Sequence, residues 1–290
     1  MEPLRRVPGT GIEVFPLVIG GHSFSSLPDK IMPTDAEAIA ILETLVAAGV
    51  THFDCTWKTE RQAYRRLLEG NGLREKLQPI IWHGWHDYEE KTASDIVTAF
   101  RGVLGELGYP RASMLILNQW DHHEGQKHFY RNEDKSQGFA DWFWEGIDEI
   151  KRLDLVDAIG WAVEPGPLNA PFLTENHERI DFVAIYWNYR HRQNQNIVTL
   201  AREYQLGIYA VAPFGRGGGS LFHVPGIDFD RILRPWLKWV LSEPAVFGMP
   251  ISLPNLAEAR QTLAAFDGKA FDSTDAAVLH QGIDPILASG

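Results

Sequence analysis

Short apolar runs rich in β-branched residues alternate along this chain with segments of helical periodicity, and that alternation constrains the fold more than any single motif. It is the pattern of parallel βαβ units, because a strand followed by a crossover helix must return to the same sheet; an antiparallel sandwich would place strand after strand. Strands are predicted over 16–20, 51–55, 79–82, 114–117, 157–160, 181–186, 207–211 and 247–251. The first intervening helix carries a capping box, Thr34 with Glu37, ahead of Ile39, Leu42, Leu45 and Val46. Further helices are expected over 60–69, from Ser94 onward, and over 142–152, 197–204, 232–241 and 255–266. Ile96, Phe100, Val103, Leu104 and Leu107 give the one after Ser94 its apolar stripe. Eight strands with helices between them define an α/β (β/α)8 TIM barrel, and the 290 residues suit one such domain, which commonly takes about 250. Ahead of it, Pro8-Gly9-Thr10-Gly11 is a turn cluster inside residues 4–15, so a short N-terminal hairpin is expected. No repeat or linker divides the chain, and 1–290 reads as a single domain.

The net charge of −11 argues against nucleic acid or an anionic membrane as partner, since both require clustered Lys and Arg; a small-molecule ligand fits better. One cysteine, Cys55, forms no internal disulfide, and the amino terminus lacks the apolar core of a secretory signal, so the expected location is cytoplasmic.

Several fragments fall in a telling order: Thr10-Gly11-Ile12-Glu13-Val14 with Gly20-Gly21, then Ala48-Gly49-Val50-Thr51-His52-Phe53-Asp54, Leu107-Gly108-Tyr109, Ala158-Ile159-Gly160, Pro213-Phe214-Gly215-Arg216-Gly217 and Trp239-Val240-Leu241-Ser242. In order and spacing they resemble the aldo-keto reductases over nearly the whole chain. The resemblance implies NADPH-dependent carbonyl reduction by an Asp, Tyr, Lys, His tetrad at the C-terminal mouth of the barrel. Asp54 matches the aspartate. The place of the tyrosine falls near Thr59 in a shortened loop, with Tyr64 too far into the helix. The place of the lysine reads Ile81-Trp82-His83-Gly84, and that of the histidine Ile116-Leu117-Asn118-Gln119. The implied cofactor contacts fall on Ala162, Val163, Ala184, Val211, Asn255 and Ala259; only Gly215, Arg216, Gly217 and Ser252 remain suited to an anion. Each lost hydrogen bond costs about 1.5 kcal/mol, so several together erase useful affinity. No cofactor is therefore expected, with NADPH as the alternative.

The replacements suggest other chemistry. Asp54 and His83, at the ends of neighbouring strands, are expected to form a carboxylate–imidazole pair that titrates near neutrality, with Asn118 holding a substrate oxygen. Ten tryptophans are unusual, and Trp57, Trp82, Trp85, Trp120, Trp161 and Trp187 all lie at or just past strand ends. With His22 they are expected to enclose a ring-containing substrate. A metal reading of His83, His86, Asp121, His122 and His123 matches no known ligand spacing, and solvated loop histidines are favoured over a metal site. Three function classes follow: an acid–base enzyme free of nicotinamide (isomerase, lyase or lactone hydrolase) acting on a small hydroxylated or carbonyl-bearing molecule, an NADPH-dependent oxidoreductase with altered contacts, and a catalytically silent binding protein. Fold alone does not choose among them.

Overall fold

Two short strands, β1 (Arg5–Arg6) and β2 (Glu13–Val14), pair antiparallel across the Pro8–Gly11 turn, where Gly9 takes the left-handed backbone (φ +71°) that a side chain would resist. In the computed structural model, which describes residues 3–25, 32–83, 90–118, 139–163, 169–215 and 225–285, this hairpin stands at the N-terminal end of a closed parallel barrel. Its Val7 and Val14 belong to the same apolar cluster as the inward-facing barrel residues, so the hairpin plugs that end.

The barrel consists of β3 (Leu17–Ile19), β4 (His52–Cys55), β5 (Gln78–His83), β6 (Ala112–Asn118), β7 (Val156–Val163), β8 (Phe182–Tyr186), β9 (Gly207–Val211) and β10 (Val246–Ile251), with β10 pairing back onto β3. The eight strands fall where the alternation predicts them, most with ends moved by one or two residues. Successive side chains point to opposite faces of a strand, which sorts the core into two layers. Inside the barrel Val18, Ile80, Met114, Ile116, Phe182 and Phe247 pack with Tyr209. Between barrel and helices lies the larger layer, including Ile19, Phe53, Cys55, Ile81, Leu115 and Leu117.

Around it run α1 (Asp35–Ala47), α2 (Lys58–Leu67), α3 (Ala93–Leu107), α4 (Asp141–Arg152), α5 (Asn169–Asn176), α6 (Gln195–Glu203), α7 (Phe229–Leu241), α8 (Leu256–Ala265) and α9 (Ser273–Gly282). The Thr34–Glu37 capping box forms as predicted, Glu37 N donating to Thr34 Oγ1 at 3.3 Å and Thr34 N to Glu37 Oε2 at 2.8 Å. Two helices escape the sequence reading. Pro171 makes α5 look like a turn although it lies in the first helical turn, where no amide partner is lost. In α9 only Asp275 and Leu279 are buried, too few for a periodic signal. Among the described residues no helix is long and apolar enough to cross a membrane.

Candidate active site

All eight barrel strands run in one direction, so residues at or past their C-terminal ends share one mouth, the face on which barrel enzymes build their sites. Asp54 lies between Phe53 and Cys55, both of which face the helices, and therefore points inward. Trp82 from β5 donates its indole Nε1–H to Asp54 Oδ2 at 2.6 Å, and Tyr209 from β9 donates its hydroxyl to the same oxygen at 3.2 Å. Neither donor carries a charge. Burial therefore dominates, and together with the nearby Glu60 it pushes the Asp54 pKa up to about 7 against the opposing pull of the two hydrogen bonds and His22.

His83 is the next residue along β5 and so turns to the other face. Its ring lies 5.8 Å from that of Phe143 in α4, within the helix-facing layer. The partner of Asp54 on β5 is thus Trp82, and the expected Asp54–His83 pair is not the arrangement the strand produces. The pleat decides this, because one step along a strand reverses the side chain.

A carboxylate–imidazole pair does exist at the mouth, formed by other residues. After β3 the chain makes a single helical turn over Gly21–Ser23, and His22 Nδ1 stands 2.8 Å from Glu60 Oε1. Glu60 is 1% exposed and His22 47%. The other Glu60 oxygen accepts the backbone N–H of Thr56 (2.5 Å) and of Trp57 (2.9 Å), which ties the carboxylate to the start of α2. A Cβ on Gly21 would stand 2.6 Å from Glu60 Cδ and 2.9 Å from the Asp54 carbonyl oxygen, so only glycine allows this approach. The turn is fixed in turn by Ser23, whose Oγ donates to Gly20 O at 2.6 Å and accepts Leu253 N at 3.0 Å.

The remaining expected residues divide. Asn118 shares the inward register of Met114 and Ile116 at the end of β6 and is buried. Trp57 packs half-buried against the inner cluster. Gly215 follows β9 and Ser252 follows β10, both partly exposed at the mouth end. Trp161, by contrast, is fully buried against Phe172 of α5 (4.1 Å between ring centres), and Trp187 stacks on Trp239 of α7 at 5.2 Å. Both are packing residues of the outer layer and line no mouth. Trp85, His86, Trp120, Asp121, His122, His123, Arg216 and Gly217 lie outside the described residues. Among the described residues no three His, Cys, Asp or Glu side chains gather as metal ligands would.

The positions that the resemblance implies for the catalytic tyrosine and for the cofactor fit those roles poorly. Thr59 lies on the exposed side of α2, Ala184 and Val211 offer neither amide nor aromatic face, and Ala259 is fully buried in α8. Asn255 is spent on its own helix: its Oδ1 accepts Glu258 N at 2.9 Å and its Nδ2 donates to Glu258 Oε1 at 2.7 Å. Sequence reasoning missed Glu60 and Tyr209. Glu60 carried a faint signal, an acidic residue at the start of a predicted helix; Tyr209 carried only its even spacing with Val211.

No family model and no curated protein sequence matches this chain. Solved structures do. Two structures named as putative aldo-keto reductases from Pseudomonas aeruginosa superpose with TM-scores of 0.68 and 0.67 at 17% and 18% identity, over 91% and 90% of this chain and 95% and 94% of theirs. The holo form of aldo-keto reductase AKR11C1 from Bacillus halodurans gives 0.71 at 13% identity, over 97% of this chain and 96% of the other. The chain therefore has the fold of the aldo-keto reductases.

Proposed function

We propose that this protein is an acid–base enzyme that works at the C-terminal mouth without nicotinamide, acting on a small hydroxylated or carbonyl-bearing molecule. Asp54 is its proton-transfer group. The observation that carries this reading is the setting of that carboxyl: buried, held on one oxygen by two neutral donors, and titrating at about 7. A group poised there is present in both forms at neutral pH and serves as acid in one half of a reaction and base in the other. Asn118, on the inner face, holds a substrate oxygen. Isomerisation, elimination and lactone hydrolysis each use such a proton-transfer group.

The test is a substrate panel of small hydroxycarbonyl compounds and lactones assayed without added nicotinamide. Turnover should follow one group titrating near pH 7 and should fall by about 10²–10⁴ in Asp54→Asn. Wild-type turnover in that variant would sink the reading. A second reading, NADPH-dependent oxidoreduction, is favoured by the likeness to a holo aldo-keto reductase. Titration with NADPH and NADP separates the two, and micromolar binding would reverse their order.

A further inference from the structure

We propose that His22 is a second catalytic group of this mouth, a general base oriented by Glu60, and that the substrates are α-hydroxy aldehydes and ketones; the inference rests on the acid–base reading of Asp54 given above. A carboxylate oxygen only accepts hydrogen bonds, so the 2.8 Å contact of His22 Nδ1 with Glu60 Oε1 places the ring proton on Nδ1. The basic lone pair of the neutral ring is then on Nε2. Burial separates the roles, with Glu60 enclosed and His22 half-exposed on the mouth side of the barrel. Glu60 is held by two backbone N–H groups, and the His22 turn by Ser23 and by the Tyr64 hydroxyl, which donates to Gly20 O at 3.3 Å. Neither partner depends on substrate for its position, as preorganised catalysis requires. Among the described residues, the charged groups that face His22 include Glu60 from α2 and Asp54 from β4, the latter near enough for each to feel the other's charge.

A general base and a general acid at a single mouth suit a 1,2-proton shift. His22 Nε2 takes the proton from the carbon between hydroxyl and carbonyl as Asp54 gives its proton to the carbonyl oxygen, and an enediol forms. The proton on His22 is returned to the former carbonyl carbon. Asp54 regains a proton from the other enediol hydroxyl, so the carbonyl moves by one carbon with no net gain or loss of protons or electrons. Glu60 is a positioning residue that balances the imidazolium.

The probes are dihydroxyacetone, D-glyceraldehyde and glycolaldehyde in D2O, with loss of the α-proton signal followed by NMR. Wild-type protein should exchange it, His22→Gln should lose about 10²–10⁴ in rate, and free imidazole should partly restore His22→Ala. Independently of any substrate, Glu60→Gln should lower the pKa read from the His22 ring proton by about one unit. Since Glu60 also caps α2, Gly21→Ala, which crowds the carboxylate, provides a second route to the same downward shift. Unchanged exchange in His22→Gln overturns the inference, and if Asp54→Asn is then inactive the Asp54 reading still stands. Loss in His22→Gln with full activity in Asp54→Asn supports His22 and overturns Asp54. Absence of wild-type exchange on all three probes overturns the substrate class, and a His22 titration unmoved by either variant overturns the pair.

Discussion

Trp82 Nε1 donates to Asp54 Oδ2 at 2.6 Å, an uncharged hydrogen bond in the place where the resemblance to aldo-keto reductases implies a lysine. An ammonium there would favour the carboxylate by Coulomb attraction, whereas an indole N–H supplies one hydrogen bond and excludes water around it. Asp54 is consequently a weak acid instead of a permanent anion.

Changing the donor should therefore move the Asp54 titration in opposite directions. Trp82→Phe removes a hydrogen bond to the carboxylate and should raise the pKa above about 7. Trp82→Lys introduces a cation and should lower it by about 1–3 units. The chemical shift of Asp54 Cγ against pH reads both. Equal titrations in the two variants would mean that the indole contact does not govern this carboxyl.

Two buried groups should give stability opposite pH slopes. The Asp54 pKa stands at about 7 in the folded protein against 3.8 for an ordinary aspartate, so its favourable contribution is complete below about pH 4 and is lost as pH rises to about 7. The gap corresponds to no more than about 4 kcal/mol. His52 is the reverse. Burial pushes it down to about 4 from 6.5, between Thr51 Oγ1 at 2.8 Å and Ser113 Oγ at 3.0 Å, so its contribution is present above about pH 6.5 and lost as pH falls to about 4. Relative to wild type, Asp54→Asn should gain stability as pH rises through that window, and His52→Gln as pH falls. Urea midpoints across it measure both; parallel slopes would contradict the assignment.

The barrel was legible because eight alternations leave few other folds, and Asp54 because the segment Ala48–Asp54 is distinctive. The pairing at Asp54 was not. Trp82 and His83 are adjacent, and which of them faces inward depends on strand register, which begins at Gln78, one residue before the predicted start. Glu60 looked like an ordinary surface residue of a helix start, and its burial follows from Gly21 approaching it across 39 positions of sequence. Trp161 and Trp187 were misplaced for the same reason as His83: a strand end fixes where a side chain lies and leaves open which layer it enters.

Only Trp57 and Trp82 of the described tryptophans should report on a ligand at the mouth. Binding of a ring-containing molecule should quench intrinsic fluorescence less in Trp57→Phe and Trp82→Phe, while Trp161→Phe and Trp187→Phe should keep the full ligand-dependent change. Undiminished quenching in a Trp57→Phe, Trp82→Phe double variant would place the ligand elsewhere.

The buried ion pair between α7 and α9 offers a test of the fold apart from the site. Lys238 is 4% exposed and its Nζ lies 3.2 Å from Asp275 Oδ2, with Asp267 Oδ1 further off at 3.8 Å and Ala270 O at 3.5 Å. In the capping box of α9, Asp275 Oδ2 also accepts the backbone N–H of Asp272 at 3.3 Å, so one carboxylate fixes both the helix start and its attachment to α7. Removing one member of such a pair leaves the other charge buried and costs more than the pair contributes. Asp275→Ala should lose about 3 kcal/mol in urea unfolding, at the low end of the usual range because Asp267 remains nearby. Lys238→Met in the same background removes the stranded ammonium and should recover part of that loss. If the double variant is no more stable than Asp275→Ala, the cost comes from the helix start and not from the unpaired charge.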